Sequence, residues 1–387
     1  MRTIYLDYNA STPADARVVE RMLPYFTERA ANASSTDHGP GSEARRAVEI
    51  ARDQIAKLIG AEAEEITFTS GATESNNIAV LGAMQRAPAD AELVVSSVEH
   101  PAVLEPAQRF GDRLKLIPVD GSGIVHPEAL RKTITPRTAL VCVMAANNET
   151  GAVNPLAEIG AVCREAGVPL HVDAVQAAAR MPLSVDALNA SSVAISGHKM
   201  YGPKGVGALF VRRRPPRAKL APITYGGGHE RNLRPGTLNV PGIVGFGEAA
   251  AIVRSEGEAD WVRERRMRDA FIAELRTSTP VEVLLNSADD ACLSQTINLR
   301  FAGISAAGIL HAISDRVAIA TGSACSTTSV EPSHVLLAQG LSRKEVAESL
   351  RISFGRQTPE ADLQAVIPIL SRVVSELSSV GTVASAA

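Results

Sequence analysis

The chain has 387 residues, 45% hydrophobic and 21% charged, which is ample apolar material for more than one core in a soluble protein. Its 39 Lys and Arg against 42 Asp and Glu leave a net charge of −3, excluding the basic balance of a dedicated nucleic-acid binder. Cys142, Cys163, Cys292 and Cys325 are too scattered for a disulfide framework. No run of about 18 apolar residues offers a membrane span, and MRTIYLDYNASTP lacks the apolar stretch of a signal peptide. A cytoplasmic protein with no membrane partner and no direct nucleic-acid binding is expected.

Through the centre, short apolar runs alternate with helical patterns. EITFTSG (65–71), ELVVSS (92–97), TALVCVMA (138–145), VPLHVDA (168–174), SSVAISG (191–197) and GVGALFV (205–211) are predicted as strands. Their near-continuous Val, Ile and Leu content suits a mostly parallel sheet covered on both faces. In the first helical stretch (42–60), Ala44, Ala47, Val48, Ala51, Ile55, Leu58 and Ile59 share one face and Gly60 stands as the stop. The order predicts an α/β architecture with right-handed crossovers. Glycine- and proline-rich loops follow in RRRPPR (212–217) and YGGGHERNLRPGT (225–237), then a long helix over 241–276. TINLRF (296–301), LRISFG (350–355) and amphipathic helices beyond it predict a smaller α+β domain. The expected division gives residues 14–255 to the large domain and 1–13 with 256–387 to the small one.

Four stretches carry residues suited to chemistry. FTSGATESNN (68–77) runs from a strand into a helix, presenting backbone N–H groups and the Thr73 hydroxyl to an anion such as phosphate. A capping box on Thr73, with Asn76 three residues on, is the alternative. In HVDAVQ (171–176), Asp173 falls at a strand's carboxyl end, where it could keep a pyridine nitrogen protonated or simply cap a helix. In SGHKMYGPKGVG (196–207), Lys199 follows another strand end, where ligands collect. Such a lysine could form a Schiff base with an aldehyde cofactor, although most lysines only solvate a surface. In ATGSACSTTSVEPSHVL (320–336), Cys325 lies among small and hydroxylated residues, which reads as an exposed loop, an unusual place for a thiol.

Together and in this order, these stretches resemble the pyridoxal-phosphate enzymes of the aspartate-aminotransferase-like fold (PLP-dependent transferase fold type I, class V). More narrowly the chain resembles the cysteine desulfurases of the NifS/IscS group. The resemblance runs from YLDYNASTP (5–13) through EHPAVLEP (99–106), NNETG (147–151) and GGGHERNLRPGTLNV (226–240) to LRISFG, essentially the whole chain. It implies pyridoxal 5'-phosphate as cofactor, bound to Lys199 as a Schiff base, with Asp173 at the pyridine nitrogen and Gln176 at the phenolic oxygen. His100 would stack on the ring and relay protons. Ala72, Thr73, Ser196 and His198 would hold the phosphate, and Thr237 would reach the phosphate of the neighbouring subunit of a homodimer. Asn9, Asn148 and Arg351 would line the substrate side, an arginine fork suiting a carboxylate.

The implied reaction removes sulfur from L-cysteine, leaving alanine and a persulfide on Cys325, whose thiolate is the attacking form. A long cysteine-bearing segment, as in the NifS/IscS branch, can carry sulfur on to an acceptor protein. Iron–sulfur cluster assembly, tRNA thiolation and DNA phosphorothioate modification are the implied destinations. TSGATESNNIAVLG, GGGHERNLRPGTLNVPGIVG and AIATGSACS look especially like the desulfurases of the last group. Selenocysteine lyase, or a C–S lyase that forms no persulfide, is the enzymatic alternative, and a scaffold homologue without chemistry the non-enzymatic one. The chain departs from the family pattern in NASSTDHGPG (32–41), where Ala33 replaces a proline and an extra residue precedes His38, so no role passes to His38. Cys142 and Cys163 read as core thiols and Cys292 has no assigned role. The eight histidines show no metal-ligand spacing with the cysteines, so no metal is expected. His171 and His229 read as structural, and Trp261 as packing between domains.

Overall fold

The computed structural model describes residues 2–321 and 331–384. Its strands are β1 (Ile4–Tyr5), β2 (Ile66–Thr69), β3 (Glu92–Ser96), β4 (Leu114–Ile117), β5 (Thr138–Cys142), β6 (Leu170–Asp173), β7 (Ser192–Ser196), β8 (Gly207–Val211), β9 (Val283–Leu285), β10 (Thr296–Phe301), β11 (Val317–Ala318) and β12 (Ser349–Ser353). β2 to β8 form a seven-stranded sheet in the order β2-β8-β7-β6-β5-β3-β4. Only β8 runs against its neighbours in it, so this is the expected mixed, mostly parallel sheet. β3, β6 and β7 inside the sheet, and β2 at its edge, are buried along their whole length. That is why β3 and β7 carry apolar runs, LVV and VAI, and not an alternating pattern.

The first long helix runs Gly39–Ile59 and buries Ala44, Val48, Ala51, Ile55 and Ile59 on the predicted face. Gly60 ends it in the left-handed conformation, φ 68°, which a residue without a Cβ adopts freely. His38 is its N-cap, its Nδ1 accepting from the Gly41 N–H, so this histidine has a local structural task. The helix Val240–Ser278 packs along it so closely that a Cβ on Gly247 would meet Ala51 at 2.6 Å. Val244, Phe246 and Val253 of this long helix belong to the core of the large sheet. Met267, Phe271 and Leu275 belong to a second core, built with β9, β10, β12 and the helix Glu360–Ala384. Trp261, between these halves, donates from Nε1 to the Ala179 carbonyl at 2.9 Å.

The second core rests on a three-stranded antiparallel sheet of order β12-β10-β9. Beside it the N-terminal strand β1 pairs with β11, and Asp7 bridges to Ser353. Leu6, fully buried, packs in this second core, so the chain's first residues are tied to its last third. Among the described residues no helix is long and apolar enough to cross a membrane.

Candidate active site

Parallel strands align their carboxyl ends, and ligand groups in α/β folds gather there. β2 leads into Ser70 to Thr73, β3 leads to His100, β5 to Asn148, β6 ends on Asp173, and β7 leads to Lys199. These groups converge on one cavity of about 480 Å³. Lys199, His100, Asp173, Gln176, Ala72, Thr73, Ser196, His198, Asn9 and Asn148 all line it. Arg351 does not line it, Thr237 is exposed elsewhere, and Cys325 lies outside the described residues.

Asp173 sits on the cavity wall, 5% exposed. Its Oδ1 accepts from the Val175 N–H at 3.0 Å and its Oδ2 from Asn76 Nδ2 at 2.7 Å. A carboxylate only accepts, so the Asn76 amide must turn its Oδ1 away, toward His171 Nε2 at 2.9 Å. His171 therefore carries its proton on Nε2, and Nδ1 accepts from the Ser192 hydroxyl at 2.9 Å. Burial pushes the His171 pKa down to about 4, which keeps the ring neutral in this relay. Asn76, His171 and Ser192 are each fully buried, so the sheet and the helix Ala72–Arg86 together fix the Asp173 carboxylate. His171 is thus a satisfied structural histidine that acts through Asn76 on the site. The sequence reading missed Asn76, whose burial depends on which face of its helix meets the sheet.

Lys199 ends a short 3₁₀ turn after β7, and its Nζ donates to the carbonyls of Asn9 and Ala10. Gln176 Nε2 donates to the same Asn9 carbonyl at 3.0 Å. The Asn9 amide in turn donates to the Asn148 carbonyl at 3.1 Å and to Thr296 Oγ1 at 3.0 Å. The N-terminal segment thereby closes one side of the cavity. Arg351 stands behind that wall, its side chain fully buried. Its Nη2 pairs with Asp7 at 2.7 Å and its Nη1 donates to the Asn148 carbonyl at 3.1 Å, while Nε has no protein partner. One guanidinium edge therefore keeps a donor in reserve.

The opposite end of the cavity suits an anion. The helix Ala72–Arg86 starts at Ala72 with Gly71 as N-cap and no side-chain cap. The capping box on Thr73 is therefore not formed, and first-turn N–H groups remain for a ligand. Ser196 and His198 line the same end. Burial, with the charges of Lys199 and Lys204, pushes the His198 pKa down to about 4, so this ring is a neutral hydrogen-bonding group. A phosphate with three acceptor oxygens fits this donor set, and Asp173 lines the same cavity.

His100 is the N-cap of the helix Pro101–Gln108 and accepts the Ala102 N–H on Nδ1 at 3.0 Å. Burial is the largest cause that lowers its pKa, so the ring is neutral and its proton resides on Nε2. Next to it, Glu99 is wholly buried, with Oε1 accepting from the Met144 N–H at 2.5 Å and Oε2 unpartnered. Burial, aided by the Asp173 charge, raises its pKa well above the usual carboxylate range.

Glu149 follows Asn148, and burial pushes its pKa up to about 7 despite a hydrogen bond from Ser333 Oγ at 2.5 Å. The unfolded chain releases this proton near pH 4.5 and the folded one near 7. In that window the unfolded state binds fewer protons, so this residue lowers stability as pH rises. Glu149→Gln should remove a destabilisation on the order of 3 kcal/mol at pH 8 while changing little at pH 4. His171 and His198 act in the opposite sense between about pH 4 and 6.5, so the comparison is wild type against variant at each pH. Urea midpoints at the two pH values check it, and an equal shift at both contradicts it.

Cys142, Cys163 and Cys292 are all buried and free. Burial raises all three thiols, Cys163 to about 12, which leaves none of them as a thiolate near neutral pH. Cys292 packs its Sγ against Gly151 and the Thr150 carbonyl, behind the Asn148 loop.

The aminotransferase class-V family profile matches residues 4–366. A protein named cysteine desulfurase IscS, from Anaeromyxobacter dehalogenans strain 2CP-C, is 45% identical over 378 residues, covering 97% of this chain and 93% of the relative. Among solved structures, a NifS-like protein is 32% identical with a TM-score of 0.89, covering 97% of this chain and all of the other. A structure titled SspA in complex with cysteine is 37% identical with a TM-score of 0.80, covering 91% of this chain and 99% of that one.

Proposed function

Because the chain belongs to the aminotransferase class-V family and is a cysteine desulfurase that uses pyridoxal 5'-phosphate, we propose that the cavity described above is its active site, with Lys199, His100 and Cys325 as catalytic residues. The observation that carries this reading is the placement of Lys199, Asp173 and the uncapped helix start around one cavity of cofactor size. When bound, the cofactor supplies an electron sink that makes the Cα proton of cysteine acidic and its sulfur transferable.

Every other task falls to the chain. Lys199 holds the cofactor covalently at rest, and its amine takes the Cα proton once released. Asp173, fixed by Asn76 and Val175, holds the pyridine nitrogen positive. His100 presents Nε2–H to the reacting groups, and Gln176 donates to the phenolic oxygen. Ala72, Thr73, Ser196 and His198 hold the phosphate. Asn9 and Asn148 line the substrate side, and Arg351, held behind them by Asp7 and the Asn148 carbonyl, would have to leave that pairing to reach the substrate carboxylate. The Cys325 thiolate would attack the substrate sulfur, forming the persulfide as the carbon–sulfur bond breaks with its electron pair kept on carbon, and protonation at Cβ and Cα would then release alanine. The burial of the other three cysteines supports giving that task to Cys325.

The exposed Thr237 and the 80% exposed Tyr225 support a homodimer in which Thr237 reaches the neighbouring subunit's phosphate. The two separate cores support a large domain of 14–255 and a small one of 1–13 with 256–387. The persulfide sulfur then passes to an acceptor protein in the cytoplasm. Capture from native extract on the persulfide-loaded enzyme distinguishes iron–sulfur cluster assembly, tRNA thiolation and DNA phosphorothioate modification as its destination.

Cys325→Ser tests the assignment. It should still bind cofactor and show the cysteine-induced change in its absorption, yet form neither persulfide nor alanine above a level about 10²-fold below wild type. Unchanged turnover in that variant would move the sulfur acceptor elsewhere and favour a lyase that makes no persulfide.

A further inference from the structure

Glu74 has no part in the reading above, yet it lines the cavity beside Thr73. A carboxylate in a cradle for an anion opposes that anion unless another group neutralises it. Glu74 Oε1 accepts from Arg234 Nε at 2.9 Å, and Oε2 accepts from the Ser70 N–H at 2.5 Å. Both side chains are mostly buried, 17% exposed for Glu74 and 22% for Arg234.

Arg234 belongs to the arm 229–239, which also carries Thr237. The arm passes through three consecutive non-glycine residues with left-handed backbone, Glu230, Arg231 and Asn232, at φ 47°, 56° and 64°. Such a run persists only where surrounding contacts over-determine it. Those contacts go to β2, the strand that leads into the cradle, and to Arg52 of the helix Gly39–Ile59. The Glu230 carboxylate takes Arg52 Nη1 and Nη2 and the Phe68 N–H, each at 2.8 Å. Arg231 Nη2 donates to the Ile66 carbonyl at 2.6 Å and to Thr67 Oγ1 at 3.3 Å. His229 Nδ1 accepts the Gly236 N–H at 3.2 Å, which closes the arm on itself. The arm is therefore fastened to the strand before the cradle, and the pair of Arg234 with Glu74 fastens it to the cradle loop itself.

We propose that Glu74 and Arg234 are a positioning pair for the cofactor phosphate, resting on the assignment of that phosphate to the Ala72–Thr73 cradle. Arg234 cancels the Glu74 charge beside the phosphate. Glu74 fixes Ser70, so the first-turn N–H groups keep their aim. The arm that serves the neighbouring subunit through Thr237 is thus held by its own subunit's cradle.

The test titrates full-length apo-protein with pyridoxal 5'-phosphate and, separately, with pyridoxal, which lacks the phosphate. Arg234→Gln leaves an uncompensated carboxylate beside the phosphate and should weaken pyridoxal 5'-phosphate binding about 10- to 100-fold. Glu74→Gln should weaken it only several-fold. The double variant should bind better than Arg234→Gln alone, because no lone carboxylate remains, and Arg234→Lys should restore most of the affinity. Pyridoxal should bind wild type and every variant alike. Arg234→Gln with wild-type affinity, a double variant weaker than Arg234→Gln, or an equal loss with pyridoxal would each overturn the pair's role. Failure of the underlying assignment shows separately: wild-type apo-protein would then prefer pyridoxal 5'-phosphate no more than pyridoxal.

Discussion

Lys199→Ala should lower alanine formation from L-cysteine by at least about 10⁴-fold and leave no borohydride-reducible link between protein and cofactor. Both losses follow from one amine that anchors the cofactor and then moves the Cα proton. The variant also loses two hydrogen bonds from Nζ to the Asn9 and Ala10 carbonyls, so the N-terminal segment should loosen. Because Asn9 and its neighbours keep contacts to Ser353, Thr296 and Asn148, the fold itself should survive with a modestly lower Tm. Peptide mapping after borohydride treatment checks the first expectation in wild type and variant together. A reducible link to any other lysine, Lys204 at the cavity rim being the nearest test, would refute the assignment.

Asp173→Asn should cost on the order of 10²–10³-fold in turnover, although the side chain is nearly the same size. Two effects combine. The charge that keeps the pyridine nitrogen protonated is gone. The new amide also meets two fixed donors, the Val175 N–H and Asn76 Nδ2, with only one acceptor oxygen. Asn76 can relieve this only by flipping, which forces His171 to move its proton to Nδ1 and donate to Ser192 Oγ. Without that exchange one buried donor is left unpaired, at a cost of about 1–3 kcal/mol of stability. Absorption spectra of the loaded variant, with its kcat and unfolding midpoint, check both parts. A variant with normal kcat would remove Asp173 from the electron-sink role.

The large sheet was legible because its central strands are buried on both faces and therefore written as apolar runs. β4 was not, since Leu114, Lys115, Leu116 and Ile117 form a short edge strand whose Leu116 is 52% exposed. β9 and the two-residue pairing of β1 with β11 exist through tertiary partners, which no local pattern announces. At the site, Lys199, Asp173 and the Ser70 to Thr73 turn could be placed together because each follows a strand end. The groups that hold them could not. Asn76 and Glu74 differ only in which side of one helix they occupy, and Glu149 and Glu99 look like ordinary acids until burial makes them weak ones. Arg351 was legible as a carboxylate fork but not as one already paired with Asp7 and the Asn148 carbonyl.

The most direct measurement gives the wild-type enzyme L-cysteine without an acceptor or reductant, then locates the sulfur by mass spectrometry of its peptides while counting alanine. One alanine per subunit is expected in the first turnover, with a single extra sulfur atom on the peptide that contains Cys325. Cys142, Cys163 and Cys292, buried with their thiols held protonated, should stay unmodified. Full alanine formation with Cys325 unmodified and the sulfur free in solution would contradict this expectation.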